Sequence, residues 1–240
     1  DITANFRPGT MAISIGMLLS ALAMTWHLVH FHYVKFNKES MYEVSKKIIL
    51  LCIPLLLSAQ FIAGILNEAL DLTDTNQELF ISMSHNIFGV LSIAIVVPIL
   101  EEVLFRGAIE GHLLRKGWSP KWAILVSALI FGIIHGNPAQ IPFAFLIGLL
   151  FGWLYYRTGS LVPGIVGHII NNSFGAWTMF TATREELSQT TMETLGTTIT
   201  YILLVLAIIV FIGMYLYLNK YLPKPTNIQV KAINEQDITI

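Results

Sequence analysis

Long runs of apolar residues alternate with short polar clusters along almost the whole chain. A bilayer core takes roughly 20 apolar residues per helix, and about seven stretches approach that length. They are Met11 to Val34, Ile48 to Leu70, Leu79 to about Leu114, Trp122 to His135, Ile141 to Tyr156, Leu161 to Phe180 and Thr197 to Leu218. Backbone polar groups within lipid must be paired inside their own segment, so the pattern predicts helices: an all-α, polytopic transmembrane bundle. Pro54, Pro98, Pro142 and Pro163 lie inside or near the ends of spans, which predicts kinks and partly re-entrant helices. No repeat or second domain interrupts the pattern. Residues 1–218 read as one transmembrane domain with its motif core at 100–172, and 219–240, with Pro223 and Pro225, as a flexible cytoplasmic tail.

The loops sort by charge. Lys35, Lys38, Lys46 and Lys47 fill the first, Arg115, Lys116 and Lys121 the third, Arg157 the fifth, and Lys220 and Lys224 follow the last span. The alternate loops are acidic or neutral, with Glu68, Asp71, Asp74 and Glu78, then Asn137 to Gln140, then Glu185, Glu186 and Glu193 beside Arg184. Positive charge marks the cytoplasmic side, so the chain starts outside and its C-terminus is cytoplasmic. The stretch Asp1 to Thr10 carries no basic-then-apolar leader, and an eighth span ahead of Asp1 would place the start of the protein inside.

Composition agrees with this reading. The chain is 55% hydrophobic and 12% charged with mean hydropathy +0.67, against about 25% charged residues in soluble domains. An integral, multi-pass plasma-membrane protein is expected, and the short loops favour a prokaryotic one. A formal net charge of -1 offers no basic surface for nucleic acid. Cys52 is the single cysteine, which excludes an intrachain disulfide or a cysteine metal cluster.

Against that background a few polar residues inside spans stand out, since a charged group at bilayer depth costs about 2.5–3.5 kcal/mol even on lenient scales. Glu102 and Arg106 are four apart and meet on one helix face as an ion pair, which by itself is a structural feature. Glu101 points about 100° away from that pair and is left as the available carboxylate. Gly117-Trp118-Ser119-Pro120 reads as the turn of a helical hairpin. Counting back to Glu101 and forward to His135 gives nearly equal depth, about 25 Å from the turn, so the two can face each other. Phe131 lies one turn from His135 on the same face, placed to pack beside the site and limit water. His168 and Asn172 also share a face, with Asn171 as a neighbouring alternative. His27, His30, His32, His85 and His112 have no evident carboxylate partner.

Glu-Glu-x-x-x-Arg, Phe-x-x-x-His and His-x-x-x-Asn, in this order on successive spans, resemble the CAAX protease and bacteriocin-processing (Abi) family of intramembrane proteases. The resemblance covers about Leu100 to Asn172. It implies an endopeptidase that hydrolyses a peptide bond in a peptide or a prenylated, CAAX-like protein substrate at the bilayer. Glu101 would be the general base and His135 its partner on the attacking water. His168 with Asn172 would stabilise the oxyanion, and Glu102 and Arg106 would support them. Members are often described as metal-dependent, and zinc would take Glu101, His135 and His168 with water as the fourth ligand. There is no His-Glu-x-x-His helix and each ligand would come from a separate span, so the reading favours a Glu/His mechanism with no required cofactor, zinc being the alternative. Two other classes compete: a non-catalytic peptide-binding or bacteriocin-immunity membrane protein, and a proton-coupled transporter. A binder needs no isolated base, and the chain shows no inverted repeat or matched pair of broken helices.

Overall fold

The computed structural model describes residues 9–34, 44 and 46–222, and these are helical with short connections. Ten helices follow one another: α1 (Thr10–His30), α2 (Lys46–Leu70), α3 (Gln77–Ser84), α4 (Ile87–Arg115), α5 (Pro120–Ile134), α6 (Ile141–Thr158), α7 (Val162–Thr181), α8 (Arg184–Ser188), α9 (Thr191–Leu195) and α10 (Thr197–Tyr221). Among the described residues, five are long and apolar enough to cross a membrane: α1, α2, α4, α6 and α10. Five of the expected seven spans thus meet the length and hydropathy that crossing requires. Helix α5 has 15 residues, and α7 reaches 20 but carries His168, Asn171 and Asn172 along its length.

The expected third span, Leu79 to Leu114, is broken after Ser84. Asn86 is extended (φ -137°, ψ 146°), and its side chain accepts from Gly89 N at 2.7 Å to start α4. The turn is so tight that a Cβ on Gly89 would lie 2.1 Å from Met83 O. The last span also differs, since α10 runs to Tyr221, three residues into the expected tail. Arg157, at the end of α6, donates to Asn219 O at 2.9 Å and to Leu222 O at 3.0 Å, which holds that end in place. The rest of the expected tail, the segment 1–8, and Lys35 and Lys38 lie outside the described residues.

The interior is built where α2, α6 and α10 meet, through Cys52, Leu55, Leu56, Ile147, Phe151, Leu154 and Leu218. Helices α5 and α6 pack at close range through small residues: a Cβ on Gly148 would sit 3.1 Å from Phe131 Cδ1 and 3.2 Å from Ala128 Cβ. Lipid gives no hydrophobic drive between apolar faces, so this close backbone approach is what joins spans. The outer surface is apolar, with Ile202, Leu206, Ile209 and Leu216 of α10 all exposed, as a lipid-facing helix requires.

Helix α4 widens twice into π-helical turns, at Ser92–Val96 and Val103–Glu110. In the first, Val97 N–H donates to Ser92 O, five residues back. The next rung in that register would run from residue 98 to Ile93 O, but Pro98 has no N–H. Ile93 O is therefore left over within its own helix, facing α7.

Candidate active site

The hairpin turn forms as its residues dictate. Gly117 adopts φ +81°, Trp118 N–H closes onto Leu113 O at 3.1 Å, and Pro120 opens α5. Ser127 on α5 donates to Phe105 O on α4 at 2.8 Å, which fixes the two arms in register. His135 closes α5, and Glu101 sits on α4 between the two π turns.

Glu102 and Arg106 form the expected pair, Arg106 Nη1 to Glu102 Oε1 at 2.9 Å, both fully buried. Arg106 Nη2 also donates to Gly148 O on α6 at 3.1 Å. Glu101 is left free of the arginine, as the helix geometry requires. Its partner is His168, not His135: His168 Nε2 lies 3.4 Å from Glu101 Oε2, and its Nδ1 lies 3.2 Å from Glu102 Oε1. One imidazole thus bridges the two adjacent glutamates. A neutral imidazole has one N–H, so with both nitrogens facing carboxylates the cluster accommodates one further proton among its three members. Gly164, one turn before His168, makes room for this: a Cβ there would lie 2.5 Å from Glu102 Oε2.

His135 points its Nδ1 at Phe131 O, 2.8 Å away. A carbonyl only accepts, so Nδ1 carries the hydrogen and Nε2 presents a lone pair. Phe131 is buried and meets His135 edge-on at 5.0 Å, His168 at 5.8 Å and Phe105 at 5.1 Å between ring centres. The Arg106 guanidinium lies 4.5 Å over its ring. Phe131 therefore seals the ion pair and shields both imidazoles, the packing role its spacing predicts.

Asn172 fills the gap that Pro98 creates, since its Nδ2 donates to Ile93 O at 2.9 Å while its Oδ1 accepts from Asn171 Nδ2 at 3.0 Å. One amide hydrogen of Asn172 remains available. Of the two asparagines, Asn172 is the one locked to α4. Glu101, His135, His168 and Asn172 all line a single cavity of about 490 Å³, as do Phe131 and Asn171. Two helices and one helix end thus contribute an acid, two imidazoles and an amide to one chamber, the donor and base set that acyl hydrolysis needs.

Among the described residues no three His, Cys, Asp or Glu converge on one point. Both nitrogens of His168 are directed at carboxylates, and His135 Nδ1 is committed to Phe131 O.

The remaining histidines stay apart from the chamber's chemistry. His27 and His30 stack among Trp26, Phe31 and Tyr33, and His85 packs on Phe180. Two features escaped the sequence reading. Glu110 is fully buried with neither oxygen hydrogen-bonded, its Oε2 lying 2.6 Å from where a Cβ on Gly152 would be. Its spacing of four from Arg106 and eight from Glu102 was the available signal. Asn137 is buried and receives Thr75 N–H at 3.2 Å while donating to Asp74 Oδ1 at 2.7 Å, which ties the α2–α3 loop to the segment after His135. Nothing in the sequence pairs those two loops.

Residues 83–174 match the family model described as Rce1-like, type II CAAX prenyl endopeptidase Rce1-like. The chain is 38% identical over 81 residues to the protein named "Putative membrane peptidase YdiL" of Bacillus subtilis (strain 168), a stretch of 34% of this chain and 33% of that protein. It is 33% identical over 106 residues to "Membrane-embedded CAAX protease MroQ" of Staphylococcus aureus (strain USA300), 42% of each chain. It is 28% identical over 122 residues to "UPF0177 protein YxdF" of Lactococcus lactis subsp. lactis (strain IL1403), 50% of this chain and 63% of that one. The chain thus spans between a third and under two thirds of the curated relatives it matches. No solved structure matches it significantly.

Proposed function

We propose that this multi-pass membrane protein is an intramembrane endopeptidase working through Glu101-activated water, a reading supported by the match of residues 83–174, which hold the whole cluster, to the Rce1-like family model. The observation that carries the reading is the meeting of Glu101, His135, His168 and Asn172 in one chamber. A water between Glu101 and His135 Nε2 loses a proton to the carboxylate as its oxygen bonds to the scissile carbonyl carbon. The developing oxyanion is met by the free amide hydrogen of Asn172. His168 holds Glu101 against Glu102 and shares the proton that Glu101 gains. When the C–N bond breaks, that proton passes to the departing amine and Glu101 is restored. His168 is thereby assigned first to the glutamates, with oxyanion stabilisation resting on Asn172. No cofactor enters the scheme. The substrate is a peptide or a lipidated tail that reaches the chamber from the bilayer.

Helices α5 and α7 complete a seven-span arrangement in this proposal, with the Asp74 and Gln140 loops outside and the Arg115 turn in the cytoplasm. Single cysteines placed at Asp71 and Lys116 in a Cys52→Ala background, labelled from either side of sealed vesicles, test the orientation, and labelling of both from one side contradicts it. Activity is tested with quenched fluorescent peptides, some prenylated, presented to purified protein in detergent. Cleavage that Glu101→Ala and His135→Ala abolish supports the proposal. Cleavage that survives Glu101→Ala removes Glu101 from the mechanism.

A further inference from the structure

The chamber has a chemical polarity that the hydrolytic groups do not explain. Its polar lining beyond the His135, His168 and Asn172 side chains consists of Glu101, Asn171, Asn67, Asp74, Asn76 and Gln140, and among the described residues no lysine or arginine lines it. Arg106 does not supply one, because it is buried behind Phe131 and bound to Glu102 and Gly148 O. At the end away from the catalytic cluster two acceptors are open. Asp74 is half-buried and uses only Oδ1 to receive Asn76 N–H at 2.9 Å and Asn137 Nδ2 at 2.7 Å, so Oδ2 is uncommitted. Asn67 Oδ1 is buried on the chamber wall with no donor, and a buried acceptor left unpaired costs about 1–3 kcal/mol. The surroundings repeat the sign: Glu68 and Asp71 flank this end, and the nearby Arg184 is paired with Glu78.

From this charge distribution we infer that the chamber selects peptides carrying a lysine or arginine a few residues from the scissile bond, held by Asp74 Oδ2 and Asn67 Oδ1. The distance follows from the Asp74–Asn137 bond. Asn137 is two residues past His135, at most about 7 Å of backbone. The 2.7 Å hydrogen bond from the Asn137 side chain then keeps the Asp74 carboxylate within a few residues of extended peptide from His135. Phe143, Phe174 and Met179 also line the chamber and suit apolar side chains. A carboxylate at the same place, whether a glutamate or a chain terminus, meets Asp74 with like charge. The inference rests on the proteolytic reading and names the substrate class for that site.

The test uses quenched peptides with one apolar centre in which Lys, Gln or Glu is placed at each of the three positions on either side of the bond. The parent enzyme is expected to cleave the best Lys peptide at least about fivefold faster than its Gln counterpart, the factor for one charge pair even at high dielectric, and the Glu peptide slowest. Asp74→Asn keeps the Oδ1 acceptor that Asn76 and Asn137 use and removes the charge, so the preference for Lys should fall to near parity. Raising the salt concentration should erode the preference of the parent enzyme in the same direction. Equal cleavage of Lys and Gln peptides, or a preference unchanged in Asp74→Asn, overturns the inference while leaving proteolysis intact. Binding of the labelled peptides to Glu101→Gln by fluorescence anisotropy separates the two readings. Lys-selective binding with no cleavage by the parent upholds the selectivity and defeats proteolysis, and binding without selectivity, or none at all, overturns the inference.

Discussion

Replacing Gly164 with alanine is a small change that strikes the catalytic cluster directly. The new Cβ would stand 2.5 Å from Glu102 Oε2 and 3.2 Å from its Cδ, where ordinary contact begins near 3.5 Å. The carboxylate must give way by roughly 1 Å. It is not free to do so, because its other oxygen holds Arg106 at 2.9 Å and His168 at 3.2 Å. Overpacking of this kind costs about 1–3 kcal/mol, and each hydrogen bond to a charged group is worth about 1.5–3 kcal/mol. If between 1.4 and 2.8 kcal/mol, roughly, of that disturbance reaches the transition state through His168 and Glu101, kcat/KM falls roughly 10- to 100-fold. Global stability falls by less than the full overpacking cost, because alanine in a helix regains up to about 1 kcal/mol over glycine. The assay is kcat/KM on a fluorogenic peptide beside a thermal unfolding curve in detergent. Gly213→Ala in α10, whose Cβ meets nothing within 4 Å, serves as the control and should leave activity unchanged. A Gly164→Ala enzyme with full kcat/KM would show that the Glu102–His168 contact does not hold Glu101 for catalysis.

Three further outcomes are expected. Phe131→Ala opens a void between Phe105, His135, His168 and Arg106, so thermal or denaturant unfolding should show a loss of about 3–5 kcal/mol; a loss under about 1 kcal/mol would contradict its sealing role. Helices α8 and α9 begin with reciprocal caps in which Thr183 and Thr190 donate backbone and then hydroxyl hydrogen bonds to Glu186 and Glu193, holding both carboxyls below the usual glutamate range. Carboxyls whose values are lowered by folding stabilise at pH above the unfolded value, and that contribution disappears as pH falls through the folded one. Amide-exchange protection factors in 183–195, taken relative to the intrinsic rate at each pH, should therefore be constant near neutrality and fall only in acid, whereas protection lost between pH 8 and 6 would be at odds with the caps. Dialysis against a strong chelator, with the metal content assayed, should leave peptide cleavage intact, and a loss restored by zinc alone would reinstate a metal mechanism.

The parts of this site that depend on one helix were legible in the sequence. The Glu102–Arg106 pair, the isolation of Glu101, the turn at Gly117 to Pro120 and the Phe131–His135 stacking all follow from helical spacing and turn chemistry. What depends on how helices meet was not. The sequence reading set Glu101 opposite His135 by depth alone, but the closer imidazole is His168, because Gly164 lets α7 approach the glutamates. That Asn172 rather than Asn171 bonds to α4 turns on a leftover carbonyl that the π turn and Pro98 create together, and a regular helix gives no hint of it. The break at Asn86 was misread because apolar residues continue on both sides of it, although Asn is a favoured N-cap.

The central claim is that Glu101 delivers water directly to the scissile carbonyl. Single-turnover cleavage in water enriched with oxygen-18, followed by mass spectrometry of products and protein, tests it most directly. The account predicts one heavy oxygen in the new C-terminal carboxyl group, no covalent peptide–enzyme adduct at any time, and no product from Glu101→Gln. A trapped acyl-enzyme, or product formed by Glu101→Gln at the parent rate, would contradict it.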